Sequence, residues 1–301
     1  MTNTTQNTQG SGRAIPRRIL SGLLAALSAG VVPRSGAPYI AIGREAEVSA
    51  MLSDLEQISE GGSSMRFLIG RYGSGKSFLI QLMRGYALER GFLTADADLS
   101  PERRLYGSGG SGLATYRELM KNLASKASPD GGALPKIVAR WVDTLRAELE
   151  TAGEGDVTER LRKRLLDEVR ELEFLVGGFD FVRVLTAYYQ LLLSDEESPE
   201  AQDRRSACLR WLRGEFSTKT EARGALGFPI SVIIDDSNWY DFLKLWAALA
   251  GRMGYRGLVV FLDECVNLYK IPHRLSRENN YEMLLSMFND TLQGRAPGLA
   301  I

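Results

Sequence analysis

Apolar positions recur along this chain at two spacings, and the places where the spacing changes mark its elements. Residues 16–29 and 44–59 repeat every three to four positions, the second through Val48, Met51, Leu52 and Leu55, and predict two helices. A short apolar run at 65–69, the stretch "FLTADADL" at 92–99 and a short apolar run at 258–262 predict strands. Between the first two of these, Phe78, Leu79, Leu82, Met83 and Tyr86 give residues 76–90 an apolar helical face, closed by Gly91. Strand, helix, strand in that order is a βαβ unit, so a parallel sheet with a right-handed crossover is expected. Helical spacing returns at 116–127, 135–151, 156–175, 179–194 and 236–251. The run at 230–234 is strand-like, and Asp235 and Asp236 after it read as the N-cap and first-turn acid of the helix that follows.

These elements divide the chain into five stretches. A polar leader (1–14) has no apolar pattern and is expected to be disordered. Helices and a connector follow (15–60), then the βαβ part (61–134), a helical insertion (135–230) and a segment with the last strand (231–301). The expected fold is α/β, a parallel sheet flanked by helices.

Composition narrows the chemistry. Among 301 residues, 37 basic side chains balance 37 acidic ones, so no global field draws the chain to nucleic acid or membrane. One histidine, His273, lies in the polar stretch "KIPHRLSREN" and reads as a solvated connector residue, which leaves little room for His-based catalysis or metal binding. Cys208 and Cys265 lack metal-ligand spacing and fit a reducing cytoplasm. The apolar run at 19–32 is too short to span a bilayer, so no membrane partner is expected.

The chemistry concentrates at residues 70–77, "GRYGSGKS", a full G-x-x-x-x-G-K-[ST] pattern between a strand-like run and an amphipathic helix. Gly70 and Gly75 allow a tight turn in which the N–H groups of Arg71, Tyr72, Gly73 and Ser74 converge on phosphate oxygens, with Phe78 just beyond. The helix that starts at Lys76 adds the positive end of its dipole. Lys76 is placed to reach the β- and γ-phosphates of ATP, and the Ser77 hydroxyl to coordinate Mg²⁺. A second motif, "LVVFLDE", ends a strand with Asp263 and Glu264. Ligands gather at the C-terminal ends of parallel strands, which predicts Asp263 beside Ser77 as a magnesium holder and Glu264 as the residue that orients or deprotonates water. Asp96 and Asp98 end another strand and face the same crevice or a turn.

With a phosphate loop and an acid-acid strand end, the chain resembles P-loop NTPases of the AAA+/ASCE-like kind. The string "YIAIGREAEV" is similar to the "GRE" box of origin-recognition and STAND ATPases, which implies that Ile42, Gly43 and Arg44 border the nucleotide base. Longer strings, including "ADADLSPERRLYG", "IDDSNWYDFLKLWA" and "NYEMLLSMFNDTLQGR", resemble the ATP-binding proteins of BREX-type bacteriophage-exclusion systems from residue 15 onward. That resemblance implies an ATPase or ATP-driven switch in prokaryotic phage defence, acting with other components of the system and open to homo-oligomerisation. It also implies truncation within a strand, short of the sensor residue, arginine finger and helical lid, which would impair hydrolysis. Two other functions remain open: a nucleotide-gated scaffold with little turnover, in which Trp141, Trp211, Trp239 and Trp246 anchor an interface or pack a core, and ATP-dependent DNA binding through Arg13–Arg18 and Arg103–Arg104.

Overall fold

The computed structural model describes residues 15–31, 33, 36–107, 109–152, 156–194 and 198–301, so the expected disorder of the leader 1–14 lies outside the described residues. Three parallel strands form the sheet: β1 (Leu93–Asp98), β2 (Leu258–Asp263) and β3 (Leu299–Ala300), in the order β1-β2-β3. β1 and β2 pair along their full length, from Leu93 opposite Leu258 to Asp98 opposite Asp263. β3 meets β2 only through Leu258–Leu299 and Val259–Ala300.

The alternation of side chains along a strand explains why both faces of this sheet are packed. On one face Leu93, Ala95, Ala97, Leu258 and Val260 join a large core. Its helices are α4 (Ser111–Lys121), α5 (Leu134–Thr151), α6 (Val157–Val169), α7 (Gly178–Leu193), α8 (Pro199–Leu212), α9 (Lys219–Leu226) and α10 (Trp239–Arg252). On the other face Val259 and Ala300 pack with Leu79, Leu82 and Met83 and with Met51, Leu55 and Ile58. The first three belong to α3 (Lys76–Glu89) and the second three to α2 (Glu45–Ser59). The helices of the insertion and the sheet thus share one apolar core. All four tryptophans lie inside it, each no more than 3% exposed, so their side chains pack the core and do not present an interface.

The expected strand at 65–69 does not form. Ser64 bridges to Ala300 and the Arg66 N–H donates to the Ile301 carbonyl, but no described strand includes residues 65–69. Residues 67–70 have no ladder to join, and Phe67 and Ile69 stand 54% and 95% exposed. The neighbour of β1 is therefore β2, and the loop-bearing segment approaches the sheet through β3.

The run at 230–234 is not a strand either, because Asp180 of α7 takes the place of a neighbouring strand and accepts from the N–H groups of Ser231 (2.7 Å) and Val232 (2.8 Å). Helix α10 begins at Trp239 rather than 236. Asp236 caps a different helix, accepting from the N–H groups of Gly110 (2.6 Å) and Leu113 (2.8 Å) at the start of α4. Helix α4 begins before the expected position 116 for that reason. The expected helix 156–175 gives way at Val169 to a 3-10 turn, Arg170–Phe174.

The polar stretch around His273 opens a helix that its composition concealed. A four-residue α11 (Val266–Tyr269) precedes α12 (Arg274–Leu292), and His273 caps α12 by accepting from the Ser276 N–H at 3.4 Å. The remaining helix, α1 (Arg17–Ser28), matches its expected span, and only Leu23 of it is buried.

Candidate functional site

The glycine-rich loop joins the 64–66 segment to α3. Ser74 N–H donates to the Arg71 carbonyl at 3.1 Å, closing a turn, and Leu79 N–H donates to the Gly75 carbonyl to start α3. Gly75 has φ +84°, which a side chain would strain, and a Cβ on Gly70 would stand 2.5 Å from the Ser74 hydroxyl. Lys76 folds back over the loop, its Nζ donating to the carbonyls of Gly70 (3.0 Å) and Arg71 (3.1 Å). Tyr72 and Gly73 at the loop tip are exposed.

The sheet brings the second motif to this loop. Ser77, in the first turn of α3, donates its hydroxyl to Asp263 Oδ2 at 2.7 Å. The other carboxylate oxygen of Asp263 accepts from the Glu264 N–H, also at 2.7 Å. Glu264 is the one non-glycine residue of positive φ among the described residues, at +57°, and its carboxylate is exposed at the end of β2. A strained backbone immediately after a strand end is common where a side chain must be aimed for function.

Register places two more carboxylates here. Asp98 lies opposite Asp263 on the face that carries α3, and Asp96 lies two residues back on the same face. Asp96 is neutralised by Arg84 of α3, Nε to Oδ1 at 3.0 Å. The carboxyl of Asp98 is pushed above its ordinary value, first by burial and then by the charges of Asp263, Asp96 and Glu264, with Arg103 opposing. Arg84 was not evident as a site residue from sequence, although its position one helical repeat beyond Ser77 puts it on the same side of α3.

Arg44 takes an unexpected place. Its guanidinium donates to the Ser74 carbonyl from Nη2 and to Glu47 Oε1 from Nη1 (2.9 Å). It lines a cavity of about 260 Å³ beside the loop, together with Met51, Phe67, Ile69, Lys76 and Leu79. Neither Gly43 nor Ile42, which is 87% exposed, lines that cavity.

A hard cation takes oxygen ligands, and Mg²⁺ in phosphate sites keeps several waters and takes few protein oxygens. The Ser77 hydroxyl and Asp263 carboxylate fit that donor set, whereas among the described residues no group of three or more His, Cys, Asp or Glu side chains could hold a metal unaided. No described helix is long and apolar enough to cross a membrane.

No curated protein and no solved structure matches the chain. A family does: over residues 15–301, with this loop and these strand ends inside the match, the chain belongs to the family described as BREX system ATP-binding protein BrxC/D.

Proposed function

We propose that the chain is a P-loop ATPase, or an ATP-driven switch, that binds ATP with Mg²⁺ on residues 70–77 and works in the cytoplasm with other components of a BREX defence system. The observation that carries this reading is the 2.7 Å hydrogen bond between Ser77 and Asp263, two residues from separate motifs that have no other evident reason to meet. The sheet order supports the AAA+/ASCE-like reading, since the loop-bearing segment and β1 sit on opposite sides of β2 and β3.

In this reading the N–H groups of residues 71–75 take the β-phosphate, and Lys76 exchanges the carbonyls of Gly70 and Arg71 for phosphate oxygens. Bound Mg²⁺ supplies charge neutralisation at the β- and γ-oxygens, and Ser77 with Asp263 would hold it. Glu264 orients the attacking water or takes its proton. Asp98, opposite Asp263, acts on the electrostatics of the strand end. The base lies against the cavity beside Arg44 or over Ile42 and Gly43.

Binding and steady-state hydrolysis of ATP with Mg²⁺, measured on the wild type, Lys76→Ala and Glu264→Gln, test this. Lys76→Ala should lose binding by at least tenfold, and Glu264→Gln should bind as before while turnover falls by about 10²-fold or more. Unchanged turnover in Glu264→Gln would remove that residue from the mechanism, and unchanged binding in Lys76→Ala would end the whole reading.

A second reading, a nucleotide-gated scaffold with little hydrolysis, is favoured by exposed apolar side chains on the turn between α6 and α7 and at the start of α7. Phe174, Val176 and Phe179 are 86%, 66% and 57% exposed there, which is a usable contact surface for another protein or another copy. Tight ATP binding with no turnover in the wild type would select it.

A further inference from the structure

A phosphate loop works only if its N–H groups point inward, and a trans peptide makes each inward N–H imply an outward carbonyl on the residue before it. Those outward carbonyls need donors, or the peptides turn over. In this loop each of the three carbonyls with a side-chain donor is held by one of two cations. Lys76 takes Gly70 and Arg71, and it is the cation that must leave when phosphate arrives. Arg44 takes Ser74 from outside the loop.

We propose that Arg44 is a positioning residue for the phosphate loop: it fixes the Ser74–Gly75 peptide so that the Gly75 N–H faces the bound phosphate. This rests on the nucleotide reading of residues 70–77. Three features make Arg44 suited to the task. Its planar fork spans two acceptors, so the bond to Ser74 is oriented by the second bond to Glu47 (2.9 Å). Glu47 stays ionised for that partnership, its carboxyl held below the ordinary value by its own backbone N–H and then by Arg44. Arg44 also sits at the start of α2, a helix anchored by Met51, Leu55 and Ile58, so the strut has a fixed base. The loop is fitted to it, because a Cβ on Gly75 would lie 3.3 Å from Arg44 Nη2. A residue that shapes the loop acts on every ligand carrying the phosphates, whereas a residue touching the base acts on the base alone.

Titration calorimetry with three ligands separates these roles: ATP with Mg²⁺, GTP with Mg²⁺, and inorganic tripolyphosphate. Arg44→Ala should weaken all three by one common factor of about tenfold, the effect of losing a charge-assisted hydrogen bond. Arg44→Lys should recover part of it, since an ammonium reaches the Ser74 carbonyl but cannot span to Glu47 as a fork. Glu47→Gln, which loosens the guanidinium without removing it, should give a smaller but equally uniform loss, and it replaces Arg44→Ala if that chain does not fold. Weakening of ATP with tripolyphosphate untouched would make Arg44 a base contact and overturn the proposal, as would unchanged binding throughout. If the wild type binds none of the ligands, or Lys76→Ala binds them as well as the wild type does, the nucleotide reading has failed and the proposal falls with it.

Discussion

Glu264 holds its backbone in the left-handed region while Asp263, one residue earlier, has both carboxylate oxygens engaged. Positive φ costs a non-glycine residue of order 1 kcal/mol, so Glu264→Gly should be more stable than Glu264→Ala by about 1 kcal/mol in chemical denaturation. Equal stability would mean that the turn relaxes when the carboxylate is lost. Asp98 offers a second test. Because its folded carboxyl titrates above the ordinary 3.8, the native state holds that proton more tightly than the unfolded chain does. Stability from this group is therefore lost as pH rises from about 3.8 through the folded value, and stays lost at neutrality. Asp98→Asn, without nucleotide, should melt above the wild type at pH 7, with the gap closing toward pH 4. The loop itself was legible from sequence, since glycine spacing states a backbone requirement directly. The partnership of Arg44 with Ser74 was not, because nothing local links a helix start to a carbonyl thirty residues on.

The elements that hold the site depend on buried polar latches. Asn280 of α12 is fully buried, with its Oδ1 accepting from the N–H groups of Leu105 (2.9 Å) and Tyr106 (3.0 Å) and its Nδ2 donating to Tyr106 and Ser276 carbonyls. Trp239 of α10 donates to the Leu105 carbonyl at 3.1 Å, and Asn267 of α11 to the Leu99 carbonyl at 2.8 Å. The segment after β1 is thereby tied to elements on both sides of β2. Asn280→Ala strands the buried Leu105 N–H and the part-buried Tyr106 N–H and should cost about 1–3 kcal/mol in the midpoint-derived stability, whereas an exposed asparagine would cost almost nothing. Helix positions were readable from apolar spacing to within a few residues except at α8, α9, α11 and α12, the last of which has polar first turns because His273 and its neighbours face solvent. The strand at 65–69 misled for a different reason: apolar residues meet the composition of a strand, but a strand also needs a ladder of backbone partners, and the bonds here stop at Arg66. Asp236 misled because a cap can serve a distant helix as well as the next one.

At the scale of the whole molecule, the helices between the loop and the second motif are part of the core and not an appendage. Leu134, Ile137, Trp141, Leu185, Trp211 and Phe216 are buried in the same cluster as Leu93, Ala95, Leu258 and Val260. A chain from which residues 135–230 have been deleted should therefore fail to fold, judged by loss of a cooperative melting transition; a soluble deletion protein with native-like melting would show two independent cores. ATP with Mg²⁺ at about a hundred times its dissociation constant should raise the stability of the intact chain by about 2.7 kcal/mol, and Lys76→Ala should abolish that gain.

The full-length pairing of β1 with β2 also governs how the protein is made. On a ribosome β1 emerges early, with Leu93 and Ala95 ready to be buried, but the strand it pairs with follows only after helices α4 to α10 have been synthesised. Such distant pairing folds slowly and leaves an unpaired strand waiting in solution. The sheet can therefore close only after β2 has been made, so its assembly is a late step of folding.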